Sequence, residues 1–318
     1  MSKYYLGIDL GGTDIKVGVI DGEFNIVAKH SVPTLPHRPV EDVISDMASA
    51  GKTVVKMAGI SESNILHVGV GVPGTVNSNT NIIVFTPNVG WRNVDFIPLF
   101  QKHWDIPVYL GNDADAAALA EVYAGAAKGY SNVVMITLGT GVGGGFVFDK
   151  KIFTGSGLGT EPGHVIIVAD GEPCACGARG CLEAYTSVTA LIREALRIME
   201  KYPDSLLHKL CEGDTSRVNG KIIFEAAKQN DEAAKIIVTD YVKYLGVGIA
   251  SFCNALGPQV VILGGGVCNA GEPLFGPLDK IVESLLHSTG EDGPPPILKA
   301  KFGNDAGIIG AALFGIGS

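Results

Sequence analysis

The chain has 318 residues, of which 46% are hydrophobic and 18% charged, and a formal net charge of −9. That length and apolar content exceed one ordinary core and predict two domains of a compact protein. The acidic balance, with no basic patch, excludes the electrostatic footprint of a nucleic-acid binder, and the lack of 18 consecutive uncharged apolar residues argues against a membrane span.

In chain order, Met1-Ser2-Lys3-Tyr4-Tyr5 leads straight into a strand pattern without the apolar region of a signal peptide, so a cytoplasmic location is expected. Residues 4–8 and 15–20 are apolar runs joined by Asp9-Leu10-Gly11-Gly12-Thr13-Asp14, which predicts a glycine-cornered hairpin. A third strand is expected over Phe24–Ser31 and a helix over 41–59. Val68–Val72 reads as a short buried strand ended by Pro73-Gly74. Pro107–Leu110 reads as another, running into Asn112-Asp113-Ala114-Asp115 and an alanine-rich helix to about Ala127.

The opening pattern then returns. Ile8–Thr13 lies on Ile136–Gly141 at a fixed offset of 128 residues, and Val19-Ile20-Asp21 on Val147-Phe148-Asp149. A duplicated unit explains this; chance likeness of two glycine-rich hairpins is the alternative. Further on, helices are expected over 188–201 and 238–256, and a central strand over Val260–Leu263 leads into Gly264-Gly265-Gly266. A glycine- and alanine-rich helix closes the chain from about Ala306. Alternating strands and helices give an α/β class, with a domain border near residues 110–115.

The chemistry-bearing residues sit at the strand ends. Glycine turns expose backbone N–H groups that attract phosphate, although structural punctuation is their commoner use. Here Gly11, Gly12, Thr13 and Gly139, Thr140, Gly141 are the candidates, with Asp9 placed to hold Mg²⁺ and Gly264–Gly266 as a third glycine corner. Asn112-Asp113 follows a strand and opens a helix. Either residue could simply cap it, but a carboxylate there is also placed to take a proton from an alcohol.

Cys174, Cys176 and Cys181 fall within eight positions of a chain expected in a reducing compartment, a spacing that reads as metal ligands rather than bridges. His164 is the candidate fourth ligand of a closed structural zinc site; three core cysteines and a satisfied histidine are the alternative. Glu161 and Glu183 flank the cluster. They read either as surface glutamates or, with His164, as partners for the hydroxyls of a polyol. His164 can serve metal with one ring nitrogen and a hydroxyl with the other.

In sequence order, Asp9-Leu-Gly-Gly-Thr13, Asn112-Asp113-Ala-Asp-Ala-Ala-Ala-Leu, Leu138-Gly-Thr-Gly-Val-Gly-Gly-Gly145, Glu161-Pro-Gly-His164 and Cys174-x-Cys-Gly-x-x-Gly-Cys-x-Glu183 resemble the ROK family (repressor, open reading frame, kinase), most of all its glucokinases. The resemblance covers essentially the whole chain. It implies an actin-like ATPase (RNase H-like) fold of two duplicated α/β domains about a central cleft. The first would span 1–112, completed by the C-terminal helix at about 306–318; the second would span 113–305 and carry the zinc loop.

It further implies ATP-dependent phosphorylation of a hexose at its 6-hydroxyl, most simply glucose, with Asp113 as general base. Asn88, Asn112, Glu161, His164 and Glu183 would bind the sugar. The turns at Asp9–Thr13 and Leu138–Gly141 would take ATP phosphates and Mg²⁺, and Gly264–Gly266 would lie near the nucleoside. His164, Cys174, Cys176 and Cys181 would hold Zn²⁺. A homodimer or tetramer without nucleic-acid or membrane partners is expected, since the hairpin starts too early for the DNA-binding segment of repressor relatives. Kinases of other sugars (N-acetylmannosamine, allose, mannose, fructose) and non-catalytic sugar-binding regulators are the alternatives. Asp14 and Pro162 depart from the usual family residues, and Pro162 bears on how Glu161 and His164 are aimed.

Overall fold

The structure, a computed structural model, describes residues 3–289 and 293–316; Met1, Ser2, residues 290–292 and the end of the expected last helix at 317–318 lie outside it. Strands β1 (Tyr4–Leu10), β2 (Asp14–Asp21) and β3 (Ile26–Pro33) precede helix α1 (Val40–Met57) and β4 (Ile65–Val72). Short strands β5 (Thr75–Asn77), β6 (Ile82–Phe85) and β7 (Arg92–Asp95), helix α2 (Phe96–Gln101), β8 (Val108–Asn112) and α3 (Asp113–Ala124) follow. Next come β9 (Val133–Leu138), β10 (Val142–Phe148), β11 (Lys151–Ile152), α4 (Glu183–Thr186), α5 (Val188–Met199), α6 (Leu206–Leu210) and α7 (Gly220–Lys228). The chain ends with α8 (Glu232–Leu256), β12 (Val260–Gly264), α9 (Glu272–Leu285), β13 (Ile297–Lys299) and α10 (Ala306–Leu313).

Two compact units form: Met1–Ser131, Gly145–Thr160 and Lys301–Ser318 in one, Asn132–Gly144 and Glu161–Ala300 in the other. The first unit therefore takes in α3, which the sequence places beyond a border at 112. α3 stays with it because it packs on α10, where the glycine at 310 lets the helix lie against the Ala116 carbonyl.

The first unit holds a sheet ordered β3-β2-β1-β4-β8, with β1 antiparallel to β2 and parallel to β4, and β4 parallel to β8. Both faces are covered, which is why β1, β2 and β4 read as nearly continuous apolar runs. One face packs Leu6, Ile8 and Val17 against Ile44 and Met47 of α1 and Phe96 and Phe100 of α2. The other packs Ile20 with Leu119 of α3 and Ile309 and Ala312 of α10. Helix α10 lies directly on the strands because Gly7 and Gly69 leave it room: a Cβ there would come within 1.8 Å of the Ile308 carbonyl oxygen and 1.7 Å of that of Ala311.

A second sheet runs β11-β10-β9-β12-β13, the same pattern with the same turn, since β1 and β9 end at Leu10 and Leu138 and β2 and β10 start at Asp14 and Val142. That matched topology rules out chance likeness of the hairpins. Helix α8 starts at Glu232, earlier than the expected 238, where the Asp231 side chain caps it by accepting from the Ala234 N–H; it ends at Gly257 in the left-handed conformation (φ 56°). By length and composition α8 could cross a membrane, yet 61% of its apolar window is buried. It is packed by α5, α7 and α9, as a core helix is. The third strand starts at Ile26 rather than Phe24, because the Asp21 carboxylate accepts from the Glu23 and Asn25 N–H groups and holds Phe24 in a turn. The small sheet β5-β6-β7 was not expected from sequence; its strands are only three or four residues long.

Candidate active site

In each unit the chemistry-bearing residues gather where parallel strands end, the position that open α/β sheets use for ligands. In the first unit, Asp9 of β1 is in register with Gly71 of β4, and Val72 of β4 with Asn112 of β8. The β1–β2 turn closes with the Gly11 N–H donating to the Asp14 carbonyl at 2.9 Å. Fully buried Thr34 holds it from behind: its hydroxyl donates to the Gly11 carbonyl at 2.7 Å and its N–H to the Thr13 carbonyl at 2.8 Å. Asn88 lies beside the turn, its Cβ 3.1 Å from where a side chain at Gly12 would begin. The loop that carries Asn88 is fixed by buried Thr86, whose Oγ1 accepts from the Trp91 N–H at 3.1 Å.

Asp9 faces Lys16 across the hairpin, 3.9 Å apart, and lies against the start of α10 at Gly307. Burial raises its carboxyl pKa, and Lys16 opposes the shift.

Asn112 is the N-cap of α3. Its Oδ1 accepts from the N–H groups of Ala114 (2.7 Å) and Asp115 (3.2 Å), while its Nδ2 donates to the Gly74 carbonyl at 2.8 Å. So the capping reading holds for Asn112. Asp113 stands at the first helical position with its Oδ1 accepting from the Ala114 N–H at 2.9 Å, half-buried, at the positive end of the helix.

In the second unit, Thr137 of β9 is in register with Gly264 of β12. The turn Leu138–Gly141 closes with the Gly139 N–H donating to the Gly141 carbonyl at 3.0 Å. The Glu161-Pro162-Gly163-His164 stretch is a single 3₁₀ turn with Pro162 buried at its first position. It packs on β10 so closely that a Cβ at Gly163 would lie 2.0 Å from the Val142 carbonyl oxygen. Pro162 thus suits this turn, whose first residue needs no N–H donor. Glu161 is open to solvent; protein crowding raises its carboxyl pKa, His164 pulls it down and Glu183 adds to the rise.

The chain from Val165 to Leu182 doubles back on itself. Ile166 bridges Cys181, Pro173 bridges Arg179, and the Leu182 N–H donates to the Val165 carbonyl at 2.9 Å. This fold brings His164, distant in sequence, onto the cysteines. The ligand atoms of His164, Cys174, Cys176 and Cys181 all lie within 4.8 Å of one another. Cys174 Sγ is 3.6 Å from His164 Nδ1, and Cys176 Sγ is 3.7 Å from Cys181 Sγ. A tetrahedral zinc site has edges of about 3.6 Å between sulfur and nitrogen and about 3.8 Å between sulfurs. The donor set therefore fits a metal held by three thiolates and Nδ1, and Nε2 of His164 is the nitrogen left for another partner.

Glu183 opens α4 and ties the cluster to the hairpin. One carboxylate oxygen accepts from the Val142 N–H at 2.9 Å; the other lies 3.6 Å from Cys174 Sγ. Gly264–Gly266 follow from β12, where Gly264 pairs with Thr137 beside the Leu138–Gly141 turn. Gly265 packs on the turn, since a Cβ there would lie 2.2 Å from the Leu138 carbonyl oxygen, and Gly266 edges a cavity of about 400 Å³ lined also by Asn219, Lys221, Phe224, Val267 and Asn269. Its wall from α7 was not foreseen, nor was Thr34; neither residue set has a periodic or spaced signal to reveal it.

Two copies of one glycine-cornered α/β unit, with a metal-competent loop in the second, have the architecture of an actin-like ATPase-fold protein. The sequence profile described as "ROK family" matches residues 5–316. The glucokinase of Thermotoga maritima is 38% identical over 310 residues, covering 96% of this chain and 95% of that one. Among solved structures, a ROK family glucokinase from Streptomyces griseus in complex with glucose and AMPPNP is 34% identical, with TM-score 0.78 over 97% of this chain and 98% of that one. A ROK hexokinase from Thermus thermophilus is 33% identical, with TM-score 0.83 over 98% and 97%. This chain belongs to the ROK family.

Proposed function

We propose that this protein is an ATP-dependent hexokinase that phosphorylates the 6-hydroxyl of glucose. The observation that carries the reading is full-length similarity to glucokinases combined with a carboxylate, Asp113, at the first position of the helix that Asn112 caps. In this reading the transfer is in-line, and the protein supplies positioning and charge stabilisation. Asp113 takes the proton of the 6-hydroxyl as that oxygen attacks the γ-phosphorus, and the bond to the β–γ bridging oxygen breaks to release ADP. Asn88, Glu161, His164 through Nε2, and Glu183 receive the other hydroxyls, while the remaining N–H of Asn112 Nδ2 is its contribution to them.

The Asp9–Thr13 and Leu138–Gly141 turns cradle the phosphates with backbone N–H groups. Asp9 would hold Mg²⁺, which supplies neutralising charge on the phosphate oxygens; the raised pKa of Asp9 is the cost of burying a carboxylate before a cation arrives. The cavity beside Gly266 is sized for a nucleoside. His164, Cys174, Cys176 and Cys181 would bind zinc, which braces the loop carrying Glu183. The functional domains in this reading are 1–112 with the C-terminal helix and 113–305. Free thiols and use of ATP suit the cytoplasm.

The test is a coupled assay of the purified, zinc-loaded protein with ATP, Mg²⁺ and a panel of hexoses and N-acylhexosamines. Glucose is expected to give the highest kcat/KM. A different preferred sugar keeps the kinase and changes its substrate; no turnover with any sugar, despite sugar binding, leaves a sugar-binding regulator.

A further inference from the structure

The second phosphate turn is held from behind by the start of α5. The Val188 N–H donates to the Gly139 carbonyl at 2.8 Å, and the Thr189 hydroxyl donates to the Thr140 carbonyl at 2.8 Å. The first unit's turn is also held from behind, by different contacts: the Thr34 hydroxyl donates to the carbonyl of Gly11, the duplicate of Gly139, and its N–H to that of Thr13. Each turn thus has carbonyls drawn back by donors from another element, which keeps them off the face where an anion would sit.

Thr189 is not needed to cap α5. Ser187 does that, its hydroxyl accepting from the Ala190 N–H at 3.0 Å. Nor is Thr189 a packing residue, since it lies exposed. Its hydroxyl is committed to the turn alone. We propose that Thr189 is a positioning residue for nucleotide binding, acting through Thr140 to set the orientation of the Leu138–Gly141 turn toward the ATP phosphates. The inference rests on the reading of that turn as a phosphate site. A nest of N–H groups binds an oxyanion only while its donors converge, and a tilted peptide unit at Thr140 spoils that convergence.

The experiment compares wild type, Thr189→Val, Thr189→Ala and Thr189→Ser as full-length, zinc-loaded proteins. Calorimetry reads the affinity for the non-hydrolysable ATP analogue AMPPNP with Mg²⁺, and separately for glucose; steady-state kinetics reads KM and kcat. Loss of one hydroxyl donor is expected to weaken AMPPNP binding about five- to tenfold and to raise the KM for ATP similarly in Thr189→Val. Glucose affinity should stay within about twofold, and Thr189→Ser should restore nucleotide affinity. Wild-type AMPPNP affinity in Thr189→Val overturns the inference while leaving the kinase assignment intact. A parallel fall in glucose and nucleotide affinity, or failure of both Thr189→Val and Thr189→Ala to fold, makes Thr189 structural and overturns it too. A wild-type protein that binds no nucleotide overturns both readings.

Discussion

Replacing Asp113 by Asn separates the chemistry of this site from its architecture. The carboxylate occupies the first position of α3, but the cap is Asn112, whose two bonds at 2.7 and 3.2 Å do not involve the substituted side chain. An amide oxygen at 113 can keep accepting from the Ala114 N–H, now at 2.9 Å. The stability lost is the favourable interaction of a charge with the helix terminus, about 0.3–1 kcal/mol, or roughly 1–3 °C in Tm for a protein of this size. The catalytic loss is of a different order. A positioned general base contributes about 10²–10⁴ in rate, or about 3–5 kcal/mol of transition-state stabilisation. So Asp113→Asn should lower kcat at least about 100-fold, with glucose affinity by calorimetry held within about threefold. A coupled assay at saturating ATP and glucose, run beside the calorimetry and a thermal melt, checks this. A kcat within about fivefold of wild type would remove Asp113 as the base. Loss of activity matched by loss of glucose binding would show it to be a binding group instead.

Two other perturbations probe the supports of the site. Cys176→Ser removes the one exposed member of the His164/cysteine cluster. Zinc measured by emission spectrometry should fall from about one per chain toward zero, and glucose KM should rise about tenfold through the loosened Glu183; full glucose affinity in the zinc-free protein would disconnect the cluster from the sugar site. His67 tests pH. It is buried between the Tyr5 and Tyr109 rings, beside Gly315, with Nε2 donating to the Ala312 carbonyl at 2.8 Å at the end of α10. Burial lowers its pKa below the ordinary 6.5 and the bond to Ala312 offsets part of that, so the folded chain holds it neutral. The unfolded chain takes up the proton first as pH falls. His67 therefore supports the fold fully above pH 6.5 and withdraws support as pH drops from there toward the lowered folded value. Thermal melts at pH 7.5 and 5.5 should show a larger loss of Tm in wild type than in His67→Gln; equal losses would refute it.

What could be read in advance was whatever sequence neighbours decide among themselves. Alternation and a glycine corner determine a hairpin locally, so Leu10 and Asp14, and their duplicates Leu138 and Val142, were legible down to the turn. The closeness of Cys174, Cys176 and Cys181 was legible because they share one loop. His164 could be nominated, but only the doubling back of Val165–Leu182 brings its Nδ1 to Cys174. At Asn112-Asp113 the sequence left capping and catalysis open; the structure gives the cap to Asn112. The short strands β5–β7 and the cavity wall of α7 had no pattern long enough to register.

The least legible features are those that hold the two turns. Thr34 reaches the Gly11 carbonyl from 23 residues away, and Thr189 reaches that of Thr140 across 49. Duplication conserved the turn but not its support. In the first unit the donors come from the residue after β3; in the second they come from a helix that begins shortly after Cys181. Cys181, Glu183, Val188 and Thr189 follow one another within a single short stretch, and three of them bond or pack onto the Leu138–Val142 corner. A loop that carries the His164/cysteine cluster at one end and runs into α5 at the other thus bears on both Glu183 and the Leu138–Gly141 turn. Disturbing either end should be felt first in the substrate nearer to it: metal loss in glucose affinity, loss of the Thr189 hydroxyl in nucleotide affinity.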